Sequence, residues 1–403
     1  MNFTLKRTSL GLRFSLALLT AMLFGALNAH AEPFLPKDDK QVLERLPAKP
    51  TDPIQAGLRD LRRALAANPQ DLALATTLAD HYFRLAVGEG DPRYIGYAQA
   101  ALAPWWTLAE PPTNVLILRA GLRQYMHDFE SAISDLTLAL KREPDNLDAL
   151  SYRAVIYIVM ARYDEARHDC REMVKRDGGL IPSSCEPTVD ALTGRAAAAY
   201  DTLTETLRRS AVASPGQILW VTTRLGEIAQ RLGRTREAEA HYRAALAMGI
   251  TDQYLLTTWA EFLLDLDRPA EVVTLLKDKT RNDVLLLRLA LAEKKLGAPA
   301  TAEHQAAIQS RIDAARLRKD KLHLSDEAIF ELVFLKKPQE AVRLAQENWE
   351  SGQREPSDAR ILLEAALGAR DKAAAKPALE WMTRNRHEDV VLKRLLQQVG
   401  ALP

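Results

Sequence analysis

Cysteine is nearly absent from this chain, with two residues in 403, too few for a small fold framed by disulfides. Aromatics make up only 6%, and 18 glycines and 20 prolines follow no fixed period, which excludes a collagen-like or low-complexity polymer. A surplus of either charge is also missing: 54 Lys and Arg stand against 53 Asp and Glu. A nucleic-acid binder normally carries a basic excess or stripe, so no nucleic-acid partner is expected. Beyond the first thirty residues long hydrophobic runs are lacking. The longest, AVIYIVMA from Ala154 to Ala161, falls well short of the roughly 18 residues that a membrane span requires. What is present is 47% hydrophobic and 27% charged residues, the balance of a folded chain long enough for two ordinary domains or one solenoid.

The N-terminus reads as an address. Lys6, Arg7 and Arg13 form a basic head, followed by the apolar run from Phe14 to Leu27 and the small-x-small string Ala29, His30, Ala31. That run is the length of a signal-peptide core and too short to cross a bilayer comfortably. The expectation is a signal peptide over 1–31, cleaved after Ala31, with an uncleaved anchor as the alternative. No cysteine lies at the cleavage point, which excludes a lipid anchor there. Removal takes away three basic residues and no acids, leaving a formal charge of −2. Abundant Ala, Leu and Arg point to a bacterial source, hence a periplasmic destination, or secretion beyond it, with no integral membrane span after signal removal.

Residues 32–53 read as an extended arm, because Pro33, Pro36, Pro47, Pro50 and Pro53 prevent a long helix. After that, apolar residues recur with the 3.6-residue period, broken by turn signals such as Asn68-Pro69, Asp91-Pro92 and Gly178-Gly179. No alternating strand pair is evident, so the fold class is all-α.

A shift of 34 residues brings the chain into register with itself. It places Leu116 on Leu150, Ala120 on Ala154, Ala132 on Ala166, and Asn114 on Asp148. It also places Trp220 on Tyr254, Thr223 on Thr257, Gly226 on Ala260 and Glu227 on Glu261. Small residues where two helices touch and large ones where the groove must be filled are what close packing of helical hairpins requires. This pattern resembles the tetratricopeptide repeat (TPR) over 113–180 and 219–270. The resemblance implies an α-solenoid, a right-handed superhelix of antiparallel helix hairpins in which each unit shares its core with its neighbours.

The expected organisation is a TPR-like block over 54–177, an inserted loop and linker helix over 178–216, a second block over 217–312, and degenerate hairpins over 313–403. In the insertion a Gly/Pro loop precedes one unpaired helix from about Val189 to Val212. The last helix is expected to act as a cap, with Lys393, Arg394, Gln397 and Gln398 on its polar outer face. Trp105 and Trp106, between Pro104 and Pro111-Pro112, read either as an exposed partner anchor or as a cover for the seam between hairpins, the second being favoured.

Catalytic constellations are missing. His387-Glu388 has Val391 where a second zinc ligand would stand, and there is no C-x-x-C, Walker loop, G-x-G-x-x-G or G-x-S-x-G. Gly88-Glu89-Gly90 is followed by Asp91-Pro92, which suits a turn and repels phosphate. Asp265 and Asp267 lack the rest of a calcium loop. No metal, no cofactor and no enzymatic activity are expected.

In the TPR family the first helix of each hairpin lines a concave groove that holds a peptide or protein. The Lys/Asn carboxylate clamp of one well-known version is not matched, since Ile117, Gly121, Ser151, Val155, Thr223 and Glu227 stand at those positions. The expected function is therefore a non-catalytic scaffold or adaptor of the cell envelope with a protein or peptide partner. A glycan-binding module is the alternative. The groove candidates are Trp220, Thr223 and Glu227, spaced i, i+3, i+7 on one helix face, with Tyr254, Thr257 and Glu261 one repeat later. Against a ligand wall stands a bracing role, with the acids paired to an arginine such as Arg224. Cys170 on a second helix and Cys185 in the following Pro-rich loop are candidates for a disulfide; a buried free Cys170 is the other reading.

Overall fold

The computed structural model describes residues 53–210 and 212–402. The expected signal peptide and nearly all of the expected Pro-rich arm lie outside the described residues. The chain divides into two compact units, Met1–Ala56 and Gly57–Pro403, and the second carries the hairpins. No strand occurs among the described residues.

The first helix, α1, is Pro53–Ala67; its opening proline takes the first helical position, where no helical N–H bond is lost. A hairpin of α2 (Leu72–Glu89) and α3 (Arg93–Ala101) follows, then the short α4 (Ala103–Trp106). Trp105 and Trp106 are half-buried against the cluster of Leu78, Ile95 and Leu102, so they cover the seam. Next come α5 (Thr113–Tyr125) with α6 (Phe129–Arg142), and α7 (Leu147–Val159) with α8 (Tyr163–Arg176).

The segment expected to be a loop and one linker helix is instead another hairpin, α9 (Leu180–Asp190) and α10 (Ala196–Arg209). Pro182 sits in the first turn of α9, where backbone N–H groups have no helical partner in any case, so it begins a helix rather than breaking one. Pro187 lies inside α9 and is tolerated there. The helix expected from Val189 to Val212 is divided by a turn at Gly194, whose φ is +79°. A Cβ at that glycine would lie 2.9 Å from Cβ of Arg386.

The repeat continues through α11 (Pro215–Arg231) and α12 (Thr235–Ala247), α13 (Gln253–Asp265) and α14 (Pro269–Leu276), α15 (Asp283–Leu296) and α16 (Thr301–Leu317), and α17 (Leu324–Val333) and α18 (Pro338–Glu350). Three elements close the unit: α19 (Pro356–Ala369), α20 (Lys376–Asn385) and α21 (Val390–Gly400). On α21, Leu392, Leu395 and Val399 are buried while Lys393, Arg394, Gln397 and Gln398 are exposed.

The small residues that define the period sit where helices meet. Ala120, Ala132, Ala154, Ala166, Ala238 and Ala260 are all buried, and a Cβ on Gly226 would lie 2.9 Å from the Tyr242 ring. The same period recurs in the turns. His127 and Ala161, and again Gly233 and Asp267, are left-handed residues one repeat apart. In each case the next backbone N–H closes back onto the helix, as Arg162 N does to Tyr157 O at 2.7 Å and Arg268 N to Leu263 O at 2.9 Å. It recurs a third time in ion pairs between the two helices of a hairpin. Arg119 grips Asp135 through Nε (2.8 Å) and Nη2 (2.7 Å), and Arg153 grips Asp169 at the same two distances.

The closing helices dock across the turns that join first and second helices. Arg354 N donates to Val159 O (2.9 Å). His387 Nδ1 lies 3.1 Å from Leu192 O, Ala196 N donates to Glu388 (2.7 Å), and Arg360 grips Asp265 (2.6 Å). These contacts satisfy helix-end groups that would otherwise need water.

Candidate functional site

Because first helices stand side by side, their inner faces form one wall. Val155 of α7, Thr188 of α9, Trp220 of α11, Tyr254 of α13 and Arg288 of α15 all reach a single cavity of about 250 Å³. The opposite side is supplied by the closing helices, through Glu355, Ser357 and Arg360 at the start of α19 and Asp389, Val391 and Leu392 at the start of α21. The cavity is thus bounded on both sides rather than being an open groove.

Five of the six expected groove residues line it: Trp220, Glu227, Tyr254, Thr257 and Glu261. Thr223 does not. It is 4% exposed and its hydroxyl donates to Leu219 O at 2.8 Å. An α-helix turns 100° per residue, so 220, 224, 227 and 231 form one stripe and 223 rotates toward the helix seam. The cavity position expected of Thr223 belongs to Arg224.

That arginine organises the wall. Its Nη1 donates to the Tyr254 hydroxyl (2.7 Å) and to Glu227 Oε2 (2.9 Å), and the Tyr254 hydroxyl donates to Glu227 Oε1. Its guanidinium stands 4.5 Å from the Tyr254 ring centre and 5.6 Å from that of Trp220. Glu261 is held in turn by Arg288 at 2.7 Å, and Arg288 also donates to Asp326. The two carboxylates of the ladder are therefore ion-paired. Arg288 stands one further period after Tyr254, so extending the 34-residue register by one step was the signal that could have found it.

Glu355 and Arg231 are functional candidates that sequence reading missed: nothing local marks Glu355, which docking of distant helices brings in, whereas Arg231 could have been found by extending the α11 stripe one turn beyond Glu227. The Glu355 carboxyl is pushed up to about 7, first by desolvation and then by neighbouring Asp358, against the pull of Arg224. Asp358 itself is pushed up to about 6, chiefly by desolvation. No group of three or more His, Cys, Asp or Glu able to hold a metal occurs among the described residues.

Cys170 of α8 and Cys185 are joined by a disulfide, their Cα atoms 5.3 Å apart. Cys185 lies on α9 and not in a loop, so the bond ties one hairpin to the next. No described helix is long and apolar enough to cross a membrane.

No family model matches the chain. A stretch of 71 residues, 18% of the chain, is 37% identical to the Hsp70-Hsp90 organizing protein of Triticum aestivum and covers 12% of that protein; the chain thus spans about an eighth of the length of this curated relative. Among solved structures it is similar to PilW, described as a widely conserved type IV pilus biogenesis factor, at 19% identity over 51% of this chain and 96% of that one, with a TM-score of 0.40. It is also similar to a Rap protein complexed with Competence and Sporulation Factor, at 13% identity over 86% of this chain and all of the other, with a TM-score of 0.45. For yeast Tom70 the identity is 11% over 86% of this chain and 84% of that chain, with a TM-score of 0.42. Paired antiparallel helices, with turns, ion pairs and small contact residues recurring at a spacing of 34, make this chain an α-solenoid of helical hairpins with the period of tetratricopeptide repeats.

Proposed function

We propose that the protein is a non-catalytic scaffold or adaptor of the bacterial cell envelope that holds a protein or peptide partner against its first-helix wall. The observation that carries this reading is the convergence of five successive first helices on one cavity bearing Trp220, Arg224 and Tyr254, residue types that concentrate binding energy at interfaces. The short stretch shared with an organizing protein supports it. The envelope setting rests on the N-terminal basic head, apolar run and small-x-small string.

A glycan-binding role is the alternative. Arg224 stacks on both Trp220 and Tyr254, which takes up aromatic surface that a sugar ring would need, so the protein reading is preferred. Site-specific photo-crosslinking tests it. A crosslinker replacing Thr257 in the wall should capture a discrete partner from envelope extract, whereas one replacing exposed Arg236 on α12 should not. Equal capture at both positions, or saccharide capture on a glycan array with no protein crosslink, would overturn the reading.

A further inference from the structure

Four arginines line the cavity: Arg224, Arg231, Arg288 and Arg360. Three are held by carboxylates, Arg224 by Glu227, Arg288 by Glu261 and Asp326, and Arg360 by Asp265 and Glu364. Arg231 differs. It makes no hydrogen bond or ion pair with any described residue, and its Nε is buried without a partner. At Nε, as at Arg224 Nε, hydration is lost and no protein acceptor replaces it; what sets Arg231 apart is that no carboxylate pairs with it.

Neither of its acidic neighbours, Asp389 or Glu355, forms an ion pair with it. Asp389 caps α21, accepting from Val391 N (2.8 Å) and Leu392 N (2.9 Å). Glu355 stands at the N-cap of α19, where its backbone N donates to Asp358 Oδ2 at 2.9 Å, and its carboxyl makes no ion pair with Arg231. Apolar side chains of Ile158, Val159, Leu192, Ile228, Val391 and Leu392 also line the cavity. At about 250 Å³ the space is below the usual range for drug-sized ligands, so it takes one small group within any larger contact along the wall.

Resting on the reading of this cavity as the binding site, the geometry points to a subsite for a small carboxylate with an apolar body, the carboxylate on Arg231 and the body against Val159, Leu192 and Leu392. A guanidinium presents paired N–H donors that match a carboxylate in plane. Glu355 makes the site pH-sensitive. Facing it are Arg224, Glu227 and Arg231 of α11, Tyr254 of α13, Tyr163 of α8 and Asp358 of its own helix, while Asp389 of α21 lines the same cavity. With its carboxyl at about 7, Glu355 is largely neutral at pH 6 and repels an incoming anion only as it ionises toward pH 8.

Calorimetric titration of the mature chain with phenylacetate, hexanoate and uncharged phenylacetamide tests the assignment. The acids are expected to bind, the amide not, and binding of the acids to weaken from pH 6 to pH 8. Arg231→Gln should weaken phenylacetate by about tenfold or more, and Arg231→Lys should retain part of the affinity. Glu355→Gln should bind at pH 8 as the parent does at pH 6. Circular dichroism of each variant separates a lost site from a lost fold, and the pH arm needs no variant at all. Equal binding of phenylacetamide, or unchanged binding by a folded Arg231→Gln, would overturn the subsite. So would binding only of a peptide with a free C-terminal carboxylate and not of its amidated form or the small acids, which would make the occupant a chain terminus. Crosslinking at Thr257 that persists in Arg231→Gln would leave the scaffold reading standing while the subsite fails.

Discussion

The pair Arg119–Asp135 offers a direct measure of what the repeat-specific ion pairs contribute. Arg119 is 3% exposed and Asp135 5%, so neither charge can recover water if its partner is removed. Asp135 accepts from Arg119 Nε and Nη2, and from Arg123 Nη1 at 2.6 Å; Arg119 Nη1 donates further to Trp106 O (2.6 Å) and Leu108 O (2.9 Å). Asp135→Ala strands two donors of a buried guanidinium, and the expected loss is about 3–5 kcal/mol, the usual cost of breaking a buried pair from one side. Replacing both partners with apolar residues, Arg119→Met with Asp135→Leu, removes the stranded charge and is expected to cost about 2 kcal/mol less than Asp135→Ala alone. The equivalent Asp169→Ala should cost less than Asp135→Ala, because its partner Arg153 keeps a side-chain exposure of 14% against 4% for Arg119. Urea unfolding followed by far-UV circular dichroism measures all three variants. Since solenoids do not always unfold in one step, the first transition is the one to compare. If Asp135→Ala loses under about 1 kcal/mol, or the double variant is no better than the single, the buried pair is not what orders this hairpin.

Three further outcomes follow from named contacts. Alkylation of the unfolded, unreduced mature chain should label neither Cys170 nor Cys185, and opening their 15-residue loop should cost about 3 kcal/mol in the chain-entropy account; two labels by intact mass would refute the bond. Glu355 holds its proton to a higher pH folded than unfolded, so the folded state binds more protons between about 4.5 and 7 and stability should fall as pH rises through that window. Glu355→Gln should flatten most of this slope in urea midpoints taken across it, leaving the part owed to Asp358, and an unchanged slope would refute the assignment. Gly226→Ala should destabilise by about 1–3 kcal/mol by overpacking against the fully buried Tyr242, and a gain, as helix propensity alone would give, would show that Tyr242 can move.

The architecture was legible because its rule is local and repeated. A hairpin needs small residues where its helices touch, and Ala120, Ala154, Gly226 and Ala260 display that need at a fixed spacing. Other features were hidden for physical reasons. Pro182 looks like a helix breaker and serves in a first turn, so the hairpin α9–α10 was read as an insertion and Cys185 as a loop residue. Thr223 matched Thr257 by period, yet a matching period says which residues are equivalent, not which way a helix is rotated; Thr257 reaches the cavity and Thr223 does not. The pairs Arg119–Asp135 and Arg153–Asp169 lie one repeat apart and could have been seen by asking which charged residues recur at 34.

Docking of the closing helices obeys no local rule, and it explains the chemistry of the cavity. First helices end in carbonyls with no helical partner, and second helices begin with N–H groups in the same condition. Stacking hairpins side by side lines these groups up along an edge. Water could satisfy them, but here Arg354 N, His387 and Glu388 do so at Val159, Leu192 and Ala196. An edge built of orphaned polar groups selects polar residues on whatever covers it, and the covering helices must bring their own starts, with capping acids Glu355 and Asp389, to the same place. Capping occupies Asp389 with backbone N–H groups, and burial holds Glu355 toward its neutral form. The arginines of the wall then compete for the acids that remain, and Glu227, Glu261 and Asp265 satisfy three of the four. Arg231, at the last turn of α11 beside the helix-start acids Glu355 and Asp389, is the one of the cavity's four arginines that no carboxylate pairs among the described residues. Its availability follows from the way the solenoid edge is closed, which is why a binding group can arise at a position that shows no binding motif in the sequence.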